Sequence, residues 1–127
     1  MLTSPSLKLK RCKECLDTMA TDFPDLEISS PVKIDGGVSQ NNFVSQFIAD
    51  ISGKEIQRVA MPSHVTALGC AYFAGLGAGI WKSKEEIKSL QKFDRSFSPS
   101  LDEERADALM TTWRRAIERA AKWIVES

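Results

Sequence analysis

Apolar positions along this 127-residue chain fall into helical and extended rhythms that divide it into segments. Cys12, Cys15, Leu16 and Met19 stand at helical spacing and predict a helix over residues 11–19, after an irregular start over residues 1–10. Pro24 and Pro31 break that pattern, because neither continues a helix. Val32 and Ile34 open a short strand over residues 32–35, which ends at Gly36 and Gly37. Beyond the glycines, Phe43, Val44, Phe47, Ile48 and Ile51 line one face of a helix that starts at Asn41. Gly53 stands where a left-handed C-terminal residue belongs. Residues 54–58 predict a second strand, closed by Pro62.

The second half of the chain begins with an uncharged run. Between His64 and Lys82 no residue is charged, and 17 residues sit at the short limit for a membrane span. Many of them are Gly or Ala, which contribute little apolar area to insertion. Gly69, Ala71, Ala74, Gly75 and Ala78 instead suit a helix pressed closely against another backbone, ended by Gly77 and Gly79. His64, the one histidine, reads as a polar helix-start residue. Ser83 can cap a short helix over residues 84–90, and "FDRSFSPS" (93–100) reads as a linker or packing loop. In the last segment Ala106, Leu109, Met110, Trp113, Ile117, Ala120, Ala121 and Ile124 form one apolar stripe. Asp102, Glu103 and Glu104 favour its N-terminal dipole. The count is five helices against two short strands. A two-stranded sheet is marginal alone, and "PVKI" reads as a strand covered on both faces, so the pattern implies a part of something larger.

Charge narrows the possibilities. Seventeen basic and 17 acidic residues cancel, which gives no global field for nucleic acid or an anionic membrane. Three cysteines make no secreted disulfide framework, and the Cys12/Cys15 pair lacks two further ligands at zinc spacing, since Cys70 and His64 are poorly placed. Free helix cysteines under reducing conditions, with no apolar signal region in "MLTSPSLKLKRCKEC", give a cytoplasmic expectation.

The sharpest feature is "KIDGGVSQNNFVSQFIAD", a strand, a Gly-Gly turn and a helix. Glycine lets a ligand approach the backbone, and a helix N-terminus offers free N–H groups and a positive dipole end. Ser39, Gln40, Asn41 and Asn42 supply polar side chains at the mouth. The stretch is neither a P-loop nor G-x-G-x-x-G, and a tight turn with Asn41 as a plain cap fits the spacing equally well.

Taken with the later "TALGCAYFAGLGAGIW", the stretch "IDGGVSQNNFVSQFIADISG" closely resembles the C-terminal lobe of the FGGY carbohydrate kinases, the glycerol kinases in particular, over residues 11–123. The resemblance implies an α/β chain, part of the C-terminal lobe of an actin-like ATPase (ribonuclease H-like) fold, helix-rich with few strands. Residues 11–127 would form an incomplete nucleotide-binding lobe, with ATP in a cleft between two lobes. It assigns nucleotide contacts to Gly37 and Asn41, with Gly36 shaping the turn, and makes the Ala/Gly-rich helix a packing element behind the site. It also implies Mg²⁺ as cofactor and glycerol or a related polyol as acceptor of the γ-phosphoryl group. The family's catalytic base, phosphate turn and polyol contacts lie upstream, so no catalytic or metal-binding residue is carried over. An Arg-Pro pair and an acidic residue are usual before T-A-L-G, whereas here Arg58 is followed by Val59-Ala60, Pro62 is displaced and Ser63-His64 stand where an acid is common; with Cys70 and Gly77 where alanine is usual, these departures leave the sugar or polyol open.

The expected partners are therefore ATP, the rest of a kinase chain or further copies of this one, with no nucleic acid and no membrane span. Loss of a general base costs about 10²–10⁴-fold, and loss of substrate positioning costs more, so the chain alone is expected to be inactive. Two other classes remain: a non-catalytic nucleotide-binding or interaction module, and a membrane-associated helical protein resting on residues 65–81, which detergent partition distinguishes.

Overall fold

The computed structural model describes residues 5–25, 31–60 and 64–121, with side chains from Leu9 onwards. Pro62, Trp123 and Ile124 lie outside the described residues. Among the described residues, five helices and three strands follow one another: α1 (Pro5–Asp22), β1 (Val32–Ile34), α2 (Asn42–Ser52), β2 (Ile56–Val59), α3 (Val65–Gly77), α4 (Lys84–Leu90), β3 (Phe93–Phe97) and α5 (Glu103–Ala121). A 3-10 turn, Gly37–Gln40, joins β1 to α2. The architecture is α/β and rich in helix.

The first helix starts at Pro5 rather than near Arg11, because proline is tolerated in a first turn, where its missing N–H has no partner to lose. A larger correction concerns "FDRSF", which forms a third strand instead of a loop. The sheet order is β1-β2-β3, with β1 parallel and β3 antiparallel to β2.

Helix α2 is the hub of the packing. Its face Val44, Ile48 and Ala49 meets Leu9 of α1, Ile56 of β2 and Phe97 of β3 in one buried cluster, with Val32, Ile34 and Phe47 at its margin. Its C-terminal end holds the loop after β3. The Asp50 carboxylate accepts bonds from the Ser100 N–H (2.7 Å) and hydroxyl (3.0 Å), and Gln46 donates to the Ser98 carbonyl at 2.8 Å. Burial pushes the Asp50 carboxyl up, but the bonds from Ser100, Gln46 and Leu101 outweigh it and leave the group below its ordinary value. Gly53, at φ 66°, ends the helix as the sequence implies.

Helix α5 starts on Asp102, whose Oδ1 accepts from the Arg105 N–H at 2.8 Å. Ala106 and Met110 are buried, and Trp113 Nε1 donates to Glu14 Oε1 at 2.8 Å, tying α5 to α1. Further along the same stripe Ile117, Ala120 and Ala121 are exposed, so the stripe is covered for only part of its length. On β1 Lys33 is exposed, so one face of the sheet is left uncovered by the described residues.

Helix α3 departs most from expectation. Gly75 is its one buried residue, and what presses on it is the Trp81 ring from its own C-terminal turn, not another backbone. The turn is a Schellman motif: Gly79 sits at φ 73°, Ile80 N–H donates to the Gly75 carbonyl (2.8 Å) and Gly79 N–H to the Leu76 carbonyl (3.2 Å). Leu68 and Phe73 stand exposed. Among the described residues no helix is long and apolar enough to cross a membrane.

The Trp81 contact sets a test. A Cβ on Gly75 would fall inside the indole, so Gly75→Ala must displace the ring and its edge contact with Tyr72, whose centroid lies 5.3 Å away. Alanine gains about 1 kcal/mol of helix propensity, while such an aromatic pair is worth about 0.5–1.5 kcal/mol. Net stability should therefore change little. The expected signature is loss of near-ultraviolet dichroism from Trp81 with far-ultraviolet helix signal retained.

Candidate functional site

The two adjacent glycines have different physical reasons. Gly36 adopts φ 87° and ψ 160°, a region open essentially to glycine alone, so the backbone itself demands it. Gly37 is not among the described glycines with positive φ, and a Cβ built on it would meet nothing within 4 Å. Nothing within the described chain requires glycine there. It begins the 3-10 turn that leads into the N-terminal end of α2.

Asn41 is the N-cap of α2, at φ −77° and ψ 113°, and its Oδ1 accepts from the Phe43 N–H at 2.9 Å. The cap uses the carbonyl side of the amide and leaves the exposed –NH₂ as a donor. Capping and ligand binding are thus compatible in one side chain. Ser39 is not at the mouth, as the sequence suggested. It is buried, and its hydroxyl and N–H both donate to the Gly36 carbonyl, at 2.7 and 3.0 Å. Ser45, fully buried on α2, donates from its hydroxyl to the Ser39 carbonyl at 3.0 Å.

Arg58 organises this turn from behind, and the sequence reading gave it no role. It is 8% exposed on β2. Its Nε and Nη2 form a fork on Asp94, at 2.8 Å to Oδ1 and 2.8 Å to Oδ2. Its Nη1 donates to the carbonyls of Ser39 (3.0 Å) and Gln40 (3.1 Å) and to Asn42 Oδ1 (3.0 Å). The guanidinium lies over the Phe97 ring, 5.6 Å from its centroid.

A bulge puts Asp94 in reach. Arg58 pairs with Arg95 and Val59 with Phe93, which leaves Asp94 as the extra residue in β3. The carboxylate can then turn to the Arg58 side, while Phe93 moves to the opposite face, under Lys33 at 4.9 Å. The Arg58 hydrogen bonds hold the Asp94 carboxyl below its ordinary value, against some desolvation, and the same bonds push the Arg58 value up.

The other candidates lie apart from the turn. His64 is the N-cap position of α3 and makes no side-chain capping bond. It lines an apolar cleft of about 390 Å³ with Val59, Leu68, Tyr72 and Leu90. Cys12 is half-buried, its thiol pushed up by burial and then by Cys15; Cys15 and Cys70 are exposed and unbridged. Among the described residues no three His, Cys, Asp or Glu side chains stand close enough to hold a metal ion.

A glycine turn between a sheet strand and a capped helix N-terminus, in an α/β chain of this topology, is the C-terminal lobe architecture of an actin-like ATPase fold. The chain belongs to the FGGY family of carbohydrate kinases, whose C-terminal domain pattern matches residues 9–78. Among its relatives, the glycerol kinase of Borreliella afzelii is 43% identical over 114 residues, which are 90% of this chain and 22% of that protein. The glycerol kinase of Clostridium beijerinckii is 48% identical over 92 residues, 72% of this chain and 18% of the relative. The crystal structure of Plasmodium falciparum glycerol kinase with ADP superimposes with a TM-score of 0.74 at 29% identity, over 93% of this chain and 23% of that one. The xylulose kinase of Rhodospirillum rubrum, at 17% identity and TM-score 0.61, shares the fold over 87% of this chain and 23% of its own. This chain thus spans about a fifth of the length of the relatives it matches.

The lowered carboxyl of Asp94 gives a pH prediction. Its folded value lies below its unfolded one, so the unfolded state binds more protons as the solution is acidified. The contribution of the pair is complete above the ordinary aspartate value of about 3.9. It is lost as pH falls through the lowered folded value. Denaturant melts at a series of pH values should show stability declining into that acidic range, with a shallower decline in Asp94→Asn.

Proposed function

We propose that this chain is the nucleotide-binding, C-terminal part of an ATP-dependent glycerol kinase-like enzyme, which transfers the γ-phosphoryl group of ATP to glycerol to give glycerol 3-phosphate. The observation that carries the reading is Gly37: a glycine at which a Cβ would meet nothing within 4 Å, opening the turn that leads to Asn41 and the N-terminus of α2. A nucleotide approaching there explains why a side chain is missing. The glycerol kinase relatives, and the ADP in the Plasmodium falciparum structure, support the same ligand and acceptor.

In this reading Gly37 admits the nucleotide to the backbone, Gly36 sets the turn, and Asn41 donates an amide hydrogen to an acceptor on the ligand. Mg²⁺ would arrive with the phosphates and complete its coordination on the upstream chain, neutralising charge as phosphoryl transfer proceeds. The glycerol contacts and the base belong to that chain as well, so this chain alone carries no kinase activity, and its working place is the cytoplasm.

Two substitutions separate the ligand role from the structural one. Asn41→Asp keeps the cap, since Asn and Asp cap about equally well, but replaces the donor amide with a negative charge. Gly37→Ala meets no atom of the chain within 4 Å yet fills the space beside the backbone. In a ¹⁵N–¹H correlation spectrum titrated with Mg-ATP, the Gly36, Gly37 and Asn41 amides of the wild-type chain should move. Both variants should keep dispersed spectra and lose that response. Variants that respond like the wild type, or a dispersed wild-type spectrum indifferent to Mg-ATP, would overturn the reading.

A further inference from the structure

Arg58 has no place in the sequence reading, yet one of its nitrogens touches the residues on both sides of Asn41. Nη1 donates to the Gln40 carbonyl before it and to Asn42 Oδ1 after it, at 3.1 and 3.0 Å. The same nitrogen holds the Ser39 carbonyl at 3.0 Å, and Ser39 in turn holds Gly36 through its hydroxyl and its N–H. Every residue assigned to the nucleotide thus either lies within this bonded stretch or is flanked by it.

The direction of Nη1 is not free. A guanidinium is planar, so the fork on Asp94 fixes its plane and orientation, and Phe97 lies beneath it. Asp94 reaches the fork only because it is the extra residue of the β3 bulge. Strand register is thereby converted into the position of the turn. Other groups could hold the turn in place. Ser45 does so for the Ser39 carbonyl, but none of the described bonds joins Gln40 or Asn42 to the sheet except through Arg58.

We propose that Arg58, oriented by Asp94, is a positioning residue for the nucleotide: it fixes the Ser39–Asn42 backbone so that Gly37 and the Asn41 amide meet the ligand together. The inference rests on the nucleotide reading of the turn. Arg58 itself touches no ligand; it acts through the residues that do.

The test compares Arg58→Lys with the wild type in the full chain, by thermal melt and by Mg-ATP titration followed at the Gly37 and Asn41 amides. A lysine keeps the charge and can pair with Asp94, but a compact ammonium cannot form the fork and reach three acceptors on the turn at once. The expected result is a weakening of Mg-ATP binding of about tenfold, equivalent to about 1.4 kcal/mol, at a temperature where the variant is fully folded. Trp113→Phe, which loses the Glu14 bond far from the turn, should lower the melting temperature and leave the affinity within about twofold. Asp94→Asn keeps the shape of the side chain and should weaken binding in the same direction, and it decides the matter if Arg58→Lys does not fold. Folded Arg58→Lys or Asp94→Asn chains that bind Mg-ATP as tightly as the wild type would overturn the positioning role while the nucleotide reading stands. A folded wild-type chain that does not bind would overturn both.

Discussion

The fork between Arg58 and Asp94 is the constraint on which the site end of this molecule depends. Strand β2 is the middle of a three-stranded sheet, and its arginine is placed so that one edge strand and the glycine turn compete for nothing: Asp94 takes one side of the guanidinium and the turn takes the other. An arginine buried to this degree is tolerable only because the groups around it accept its hydrogens. The price of burying that charge is met by organising the turn. Seen this way, the bulge in β3 is a device for delivering a carboxylate to the α2 side of the sheet, not an irregularity of a short strand.

Behind the fork, the hydrophobic arrangement is plain. One helix face, Val44, Ile48 and Ala49, carries the sheet on one side, with α1 brought in by Leu9, while α5 also packs against α2 and buries Ala106 and Met110. Its N-terminal end presents the site, and its C-terminal end, through Asp50 and Gln46, holds the approach to α5. A single eleven-residue helix therefore joins the packing of the lobe to the geometry of the turn. In contrast, α3 uses its small residues only where Trp81 folds back on Gly75.

Much of this was legible beforehand. The i, i+4 rhythm of Phe43, Phe47 and Ile51 located α2, Gly53 marked its end, and the double glycine marked the turn. Strand β3 was not legible, because its bulge sends Phe93 and Phe97 to opposite faces and destroys the alternation that identifies a strand. Arg58 escaped for a related reason. A lone arginine in "IQRV" reads as a solvated charge unless its partner is known, and that partner lies 36 residues away in the strand that was missed. Ser39 was misplaced because turn serines are usually exposed, whereas this one turns inward to Gly36. The available signal was a charged residue in a short strand between Ile56 and Val59, followed later by an acid between two phenylalanines.

The bond from Trp113 to Glu14 closes a loop of 99 residues. During synthesis Glu14 of α1 precedes its partner Trp113 of α5 by 99 residues. Residues added at about 5–20 per second leave Glu14 waiting for several seconds, while α2 and the sheet assemble from nearer neighbours. Final closure is a long-range event of high contact order, paid in loop entropy and therefore late in folding. Loop entropy thus places the contact between α1 and α5 after the local bonds of the glycine turn.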